Sequence, residues 1–329
     1  MAKTAHPTIR FRISPCSNAP RRSDQEQPLR IATFNVQNLR LRQDAAGQPF
    51  LDGARDGDTP GDQTSGTPDF DRADRRLTAA VLHDMDADVV ALQEVHDIAT
   101  LDFFHESYLV QTGLPPYPHR ICLPGNDGMG RNIALLSRIG PGAVESNAWI
   151  RPADLGLAPA EGQPPERPVF CRDCLVIEVR ELTLFLCHFK APYPDRAAAD
   201  IFRRTEAEAV RRLIERRFAR PAEALWLILG DLNEPDARAP LPQQAIAPLS
   251  NGFAIDLLER RPAGQRWSYH ETTRGTYSRP DAMLASPALS RRYPSATPRL
   301  IREGMSRRAS RYPGPRLHGV GRHRPHASD

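Results

Sequence analysis

The sequence of 329 residues has few cysteines, only two lysines and no long apolar run. Its five cysteines form a sparse and odd-numbered set, which excludes a small scaffold held together by disulfides. No apolar run approaches the about 20 residues that a transmembrane helix needs. Residues 1–30 also lack the apolar core of a secretory signal. These absences predict a cytoplasmic protein without a membrane span.

Because lysine occurs only at positions 3 and 190, arginine supplies nearly all of the positive charge. Ten arginines lie between positions 291 and 329, against two acidic residues, Glu303 and Asp329. Such a basic segment can follow a nucleic-acid backbone, since cationic side chains give sequence-independent affinity for phosphates. A coding bias toward arginine explains the same composition equally well, so both interpretations stay open.

The spacing of Cys171 and Cys174 is the C-x-x-C spacing of many metal sites, but no second pair accompanies it. The residues from 169 to 179 have the pattern of a strand, in which positions 171 and 174 point to opposite faces. We therefore expect ordinary strand cysteines here and no zinc site.

The motifs described below are spread over most of the chain, which favours one large domain over two small ones. We expect a flexible leader at 1–28, a domain at 29–329 and a surface insertion at 43–69, where glycine, aspartate and proline interrupt any period. A helix is predicted from Asp71, with Leu77, Val81 and Met85 covering a sheet.

A strand is predicted at 88–92 and a second helix at 195–218. The second helix has an apolar stripe, and we expect its charged residues to form a solvated face. The stripe comprises Ile201, Phe202, Ala209, Val210, Leu213, Ile214 and Phe218.

Polar residues of the kinds that bind metals and phosphates lie at the ends of five apolar segments. They are Asn35, Glu94, His188, Asp231 with Asn233, and Asp281. Polar groups at strand ends are expected to meet at one rim of a sheet, and this set suits metal-assisted attack on phosphorus. Each residue taken alone is as common in a turn, at a solvated strand end or in a core. Their joint order along the chain is what indicates a site.

The segments around these residues resemble the endonuclease/exonuclease/phosphatase superfamily, the magnesium-dependent nucleases and phosphoesterases related to pancreatic deoxyribonuclease. The matching segments are 32–39, 91–95, 132–138, 187–190, 229–233 and 278–281. The resemblance implies an α/β fold, a four-layer αββα sandwich in which helices flank two mixed sheets.

Magnesium is the cofactor that the resemblance implies, with Mn²⁺ as an alternative, because such ions prefer hard oxygen ligands. We expect Glu94 to be the principal metal ligand, with Asn35 holding either the ligand shell or the phosphate, and Asp329 joining them if the full motif exists. Asp231 is predicted to orient or deprotonate the attacking water, and Asn233 to stabilise developing charge.

The resemblance assigns His188 to the transition state or the leaving group, and Asp281 to orienting a histidine. That histidine follows a Ser-Asp pair in the family, whereas this sequence stops at Ser328 and Asp329. We therefore expect the chain to be cut within its own motif and to lack a closing strand. The candidate substrate-binding residues are Asn132, Arg172 and Lys190.

The function predicted on these grounds is metal-dependent hydrolysis of phosphodiester bonds, with nucleic acid as the favoured substrate. Two alternatives stay open on the same scaffold: a phosphomonoesterase or phospholipid head-group hydrolase, and a catalytically silent binding protein. The sequence indicates no protein partner.

Overall fold

The computed structural model of the protein describes residues 10–11, 28–54, 68–234, 244–272 and 274–328. The strands in these ranges are β1 (Arg10–Phe11), β2 (Ile31–Leu39), β3 (Leu41–Gln43), β4 (Pro49–Leu51), β5 (Val89–Val95), β6 (His119–Cys122), β7 (Asn132–Ser137), β8 (Val144–Glu145), β9 (Cys174–Val179), β10 (Leu182–His188), β11 (Trp226–Asp231), β12 (Ile255–Asp256), β13 (Tyr269–Glu271), β14 (Thr276–Ser278) and β15 (Asp281–Ala285). The α-helices are α1 (Pro68–Met85), α2 (Ile98–Phe104), α3 (Arg196–Arg217) and α4 (Pro287–Arg292). Shorter helical segments are Val110–Thr112, Pro152–Leu155, Pro221–Glu223, Ala247–Leu249, Leu257–Arg260, Ala263–Gln265 and a π turn at His105–Leu109.

The strands form two large mixed sheets and two small ribbons. One sheet has the strand order β1-β8-β9-β10-β11-β15-β12, and the other has the order β2-β5-β7-β6. The pairs β10–β11 and β2–β5 are parallel, whereas β11–β15 and β5–β7 are antiparallel. Strands β3 and β4 form one ribbon, and β13 and β14 form the other.

Apolar side chains alternate between the two faces of each sheet, so each sheet packs on both sides. Val89 and Leu135 of the smaller sheet meet Leu184 and Leu229 of the larger one in a buried layer between the sheets. On the outer faces, α1 and α2 cover the smaller sheet and α3 covers the larger. The predicted αββα sandwich is confirmed.

Helix α1 begins at Pro68, three residues before the predicted start, and acidic residues in its first turn complement the helix dipole. The predicted role of its apolar stripe holds for Met85, which packs against the core over the smaller sheet, but not for the rest of the stripe. Leu77 and Val81 pack against Val320 and Ala327 of the C-terminal segment, and Leu82 contributes to the core over the sheet. The segment 293–328 has no regular secondary structure, so its position was not evident from sequence periodicity.

Helix α3 lies where the sequence predicts it, with Asp195 as its N-cap accepting a hydrogen bond from the Ala198 N–H. Two expectations about its faces are wrong. Ile201 is exposed, whereas Arg203 and Glu206, two of the charged residues expected in solvent, are fully buried. Their partners, described below, explain this burial.

Other boundaries also differ from the sequence predictions. The strand predicted at 88–92 runs to Val95, and the β3–β4 hairpin at 41–51 occupies the start of the insertion expected at 43–69. Cys171 precedes its strand, while Cys174 Sγ lies 3.8 Å from Cys187 Sγ in the core. Residues 55–67 lie outside the described ranges, as does the predicted leader apart from β1. Within those ranges, no helix has the length and apolarity that crossing a bilayer would need.

Candidate active site

The predicted strand-end residues come together between the two sheets. On the larger sheet, Asp231 is the register partner of both His188 on β10 and Asp281 on β15. On the smaller sheet, Asn35 and Glu94 lie on the paired strands β2 and β5. Polar residues from both sheets thus meet at one rim.

Asn35 joins the two sheets at this point. Its Nδ2 lies 3.0 Å from Asp231 Oδ2 and 3.2 Å from Glu94 Oε1. His188 Nε2 is 3.8 Å from the same two carboxylate oxygens. Four of the predicted residues therefore form one contiguous cluster, which we call the acidic cluster: Asn35, Glu94, His188 and Asp231.

The backbone around the cluster takes a conformation that is rare for residues with side chains. Gln37, Asn38 and Glu94 have positive φ angles of 47°, 51° and 67°, at shifts in the strand register. The Asn38 N–H donates to Glu94 Oε2 at 3.0 Å, and the Gln37 N–H donates to Asn35 Oδ1 at 3.0 Å. Left-handed residues of this kind typically cluster at functional sites, because surrounding contacts must hold them.

Arg75 of α1 provides part of that support, and the sequence analysis missed it. Its guanidinium is fully buried and donates to the carbonyls of Val36 and Gln37 at 2.6 Å, and to those of Asp52 and Gly53 at 2.5 and 3.0 Å. Burial lowers its pKa to about 10, so it stays charged at neutral pH. It thereby fixes the irregular end of β2 on which Asn35 lies.

Two carboxyl groups at the rim, those of Asp231 and Asp281, have raised pKa values. Burial raises the pKa of Asp231, and the nearby Glu94 carboxylate adds to this effect against hydrogen bonds from Asn35 and the Asn233 N–H. Burial and the neighbouring Asp231 raise the pKa of Asp281 to about 7, although Ser268 Oγ donates to Asp281 at 2.6 Å. The carboxylates at this rim therefore have too little neighbouring positive charge to offset the effect of burial on their pKa values.

His188 is neutral at physiological pH. Burial lowers its pKa well below the usual value, and Arg172 and Arg131 lower it further. Its Nδ1 is buried and makes no hydrogen bond to any described residue. A neutral imidazole at this position is able to donate or accept one proton at Nε2, next to both carboxylates.

The carboxylate oxygens of the acidic cluster are of the kind that bind divalent cations. The half-buried Glu94 carboxylate and the buried Asp231 carboxylate both accept a hydrogen bond from the Asn35 amide. No trio of His, Cys, Asp or Glu side chains in the described ranges forms a complete metal-ligand group. Mg²⁺ is commonly bound through one or two carboxylates while it keeps several waters, so a site of this kind needs no third acidic side chain. Asn35 Oδ1 accepts from Gln37, and in this orientation Asn35 supports Glu94.

The other predicted residues differ in their relation to the cluster. Arg172 is buried, with Nη1 donating to the Phe189 carbonyl at 2.7 Å, and it lines the site beside Arg131. Asn233 Nδ2 donates to the same carbonyl at 3.0 Å. Asn132 lies apart, because its amide is engaged by the Gly125 N–H and the His96 carbonyl.

The C-terminal segment also reaches the cluster. Ser328 Oγ donates to the Asn35 carbonyl at 2.8 Å, which places residue 328 directly beside the site. Asp329, predicted as a metal ligand and catalytic residue, lies outside the described residues. A cavity of about 1490 Å³ extends from the cluster between the sheets, where Ala327 and Ser328 line it.

Four arginines of the basic tail are structural. Arg302 packs over the Trp267 ring at 4.0 Å, while Arg307 and Arg316 donate to the carbonyls of Val320 and Ala309. Arg324 pairs with Asp71 and Asp74 of α1. These side chains stabilise a segment that lacks regular secondary structure. Their contacts give no support to a nucleic-acid binding surface along the tail.

Comparison with known proteins agrees with this architecture. The model of the Endonuclease/Exonuclease/phosphatase family matches residues 32–301. A solved endonuclease/exonuclease/phosphatase from Beutenbergia cavernae DSM 12333 shares 18% identity and a TM-score of 0.53, over 79% of this chain and 64% of that chain.

Two further solved structures are similar over much of the chain. A mannosyl-6-phosphatase from Bacteroides thetaiotaomicron VPI-5482 shares 15% identity, with a TM-score of 0.46, over 79% of this chain and 86% of its own. Truncated TDP2 from Caenorhabditis elegans shares 18% identity, with a TM-score of 0.40, over 65% and 76%. Among curated protein sequences, none matches significantly. Because the family model matches most of the chain, the protein belongs to the endonuclease/exonuclease/phosphatase family.

Proposed function

We propose that the protein hydrolyses phosphodiester bonds with the help of Mg²⁺, and that nucleic acid is its substrate class. The family acts on phosphoesters, which gives the reaction type. The observation that carries the proposal is the acidic cluster, in which Asn35 lies within 3.2 Å of both Glu94 and Asp231, and His188 lies 3.8 Å from each.

Each residue of the acidic cluster has a role that follows from its chemistry. Glu94 would hold Mg²⁺ or Mn²⁺, because its Oε2 is fixed by the Asn38 N–H and its Oε1 faces Asn35. When bound, the cation supplies positive charge at a phosphate oxygen. Asp231 orients the attacking water and accepts its proton. His188, kept neutral by its surroundings, donates a hydrogen bond from Nε2 to the phosphoryl group.

Two supporting roles complete the proposal. Asn35 keeps Glu94 and Asp231 apart and in position, and Asn233 fixes the turn after β11 through its N–H and side-chain amide. Arg131 and Arg172 bring positive charge to the rim of the same cavity, where an anionic substrate needs it. Asp281 lies beside Asp231, and because its pKa is raised to about 7 it carries only part of a negative charge at neutral pH.

The proposal is tested by metal binding and hydrolysis together. Titration calorimetry with Mn²⁺ should give at least about tenfold weaker binding for Glu94→Gln, a loss of about 1.4 kcal/mol. The matched control is Glu223→Gln, an exposed glutamate that pairs with Arg220. Equal Mn²⁺ affinity of Glu94→Gln and the wild type would remove Glu94 from the metal site.

Hydrolysis of methyl p-nitrophenyl phosphate, a diester, is then compared with hydrolysis of p-nitrophenyl phosphate, a monoester, both with Mg²⁺. The proposal expects the diester to be preferred and EDTA to abolish turnover. A preference for the monoester would favour the phosphomonoesterase alternative. Tight Mn²⁺ binding without turnover of either compound would favour a silent binding protein.

A further inference from the structure

A second cleft, of about 400 Å³, opens beside the active site. We call it the arginine–tryptophan cleft and define it by Asp127, Arg131, Trp149, Arg167, Arg172 and Lys190. Arg131 and Arg172 line this cleft and the active-site cavity as well. A molecule whose reacting group lies at the acidic cluster therefore extends into the cleft past these two side chains.

The cleft is strongly cationic. Four of its defining side chains are positive and one is negative. The negative one, Asp127 Oδ2, is already shared, because it lies 3.3 Å from Arg131 Nε and 3.2 Å from Arg172 Nε. Lys190 Nζ donates to the carbonyls of Ala191 and Tyr193. An anionic group entering the cleft meets an excess of positive charge.

Trp149 gives the cleft an aromatic wall. Its side chain is 62% exposed, an unusual state for a large indole. The two residues before it are nevertheless anchored: Asn126 Nδ2 donates to the Ala148 carbonyl at 2.7 Å, and Asn147 Nδ2 donates to the Cys174 carbonyl at 2.9 Å. An exposed ring on an anchored backbone is suited to stacking with a ligand at little entropic cost.

The opposite wall is held by the buried charges of α3. Glu206 accepts hydrogen bonds from the N–H groups of Cys171 and Lys190 at 2.9 and 2.8 Å, and Arg203 donates to the Lys190 carbonyl at 2.9 Å. One helix thus sets the distance between two cleft-lining segments. The hydrogen bonds of the buried Arg203 and Glu206 thereby hold the shape of the cleft.

We propose that the arginine–tryptophan cleft binds an unpaired nucleotide next to the scissile phosphodiester. Its phosphate lies among the four cationic side chains of the cleft, Arg131, Arg167, Arg172 and Lys190, and its base stacks on Trp149. An unpaired base is required because a base inside a duplex has no free face for the indole. The substrate is therefore single-stranded nucleic acid, an inference that rests on the proposed diester hydrolysis. A sugar phosphate or an inositol phosphate would use the cations but has no flat ring for Trp149.

The first test compares two diesters, a ten-residue oligothymidylate and methyl p-nitrophenyl phosphate, which has no base. Base stacking on an aromatic side chain contributes about 1–3 kcal/mol, equivalent to about 5- to 150-fold. Trp149→Ala should lower the ratio of the two kcat/KM values by at least about fivefold. Trp149→Tyr, which retains a ring, should recover most of the ratio. Phe70→Ala is the control, because Phe70 is also an exposed aromatic and lines neither cavity.

The second test reads binding without turnover. In EDTA, the oligothymidylate should quench the tryptophan fluorescence of the wild type, and Trp149→Ala should lose most of this quenching. Arg167→Gln should weaken the binding severalfold, whereas Arg220→Gln, at an exposed arginine remote from the cleft, should not.

The outcomes separate this inference from the proposed function. Quenching that depends on Trp149, without hydrolysis of either diester, would support the cleft and overturn the reaction. Diester hydrolysis with an unchanged ratio in Trp149→Ala and no quenching would overturn the cleft alone. Inositol hexakisphosphate that binds the wild type and Trp149→Ala equally, and more tightly than the oligonucleotide does, would show an anion site without base recognition and would also overturn it.

Discussion

Replacing Arg75 by methionine should both destabilise the protein and weaken metal binding at the proposed site. The guanidinium donates to four backbone carbonyls, which belong to Val36, Gln37, Asp52 and Gly53. Methionine has a similar length and volume but no donor, so the change leaves these buried oxygens without their partner. The irregular end of β2 would then lose the group that holds its left-handed residues.

The size of the effect follows from these contacts. Hydrogen bonds to a charged group contribute about 1.5–3 kcal/mol each, and the cost of burying the guanidinium offsets part of that sum. Removing one partner of a buried charged network typically costs about 3–5 kcal/mol. We expect a loss of this size for Arg75→Met and about half of it for Arg75→Lys, which keeps the charge but has fewer donors.

The measurement is urea unfolding of both variants, together with Mn²⁺ titration under conditions where each variant is folded. The neighbouring Arg76→Met is the control, because Arg76 is exposed on the same helix. Mn²⁺ affinity of Arg75→Lys should fall severalfold, since Asn38 fixes Glu94 from the supported turn. A free energy of unfolding for Arg75→Met within about 1 kcal/mol of the wild type would refute the reasoning.

Three further outcomes are expected. Asp231→Asn should lower diester turnover at least about a hundredfold, and calorimetry should find an unchanged or higher melting temperature because a buried charge is removed; retained turnover would refute its role. Arg324→Met should cost about 3 kcal/mol in urea unfolding, since it leaves Asp74 buried without its cation, whereas the exposed Arg322→Met should be neutral. Burial raises the pKa of Glu206 to about 7 from an ordinary 4.5, so its contribution to stability is full below pH 4.5 and is lost as the pH rises through 7. Glu206→Gln should therefore reduce the gain in stability from pH 8 to pH 5 by roughly 2.5 kcal/mol, and an unchanged gain in urea unfolding would contradict this.

The sequence was sufficient to predict the sandwich, through its resemblance to the family, and all four residues of the acidic cluster. An apolar run that ends in a polar residue is a local signal in the sequence. Strands of this kind end at one rim of the sandwich and so bring Glu94, His188 and Asp231 together, independently of the connecting loops. Helix α3 was predictable for the same reason, since its period and its Asp195 cap are both local signals. Whether these residues act as assigned stays a prediction.

The missing parts depend on contacts between distant segments. Arg75 was overlooked because an arginine in a helix is usually solvated, and only the irregular end of β2 provides the carbonyls that bury it. Its buried neighbours Asp71, Asp74 and Thr78 share its helical face, a periodic polar signal that was available in the sequence. Trp149 gave no signal, because exposure of a single tryptophan is decided by how its loop packs.

The clasp between α1 and the C-terminal segment sets an order on assembly. Arg324 pairs with Asp74 across 250 positions, Thr78 Oγ donates to the Ala327 carbonyl, and Ser328 reaches the carbonyl of Asn35. Contacts of such long sequence separation form late, since the loop between them must close first. During synthesis, β2 and α1 leave the ribosome long before residues 324–328 exist to meet them. The side of the site that faces Asn35 is therefore complete only after residues 324–328 have docked on α1. Until then, the site of the nascent chain is open on this side.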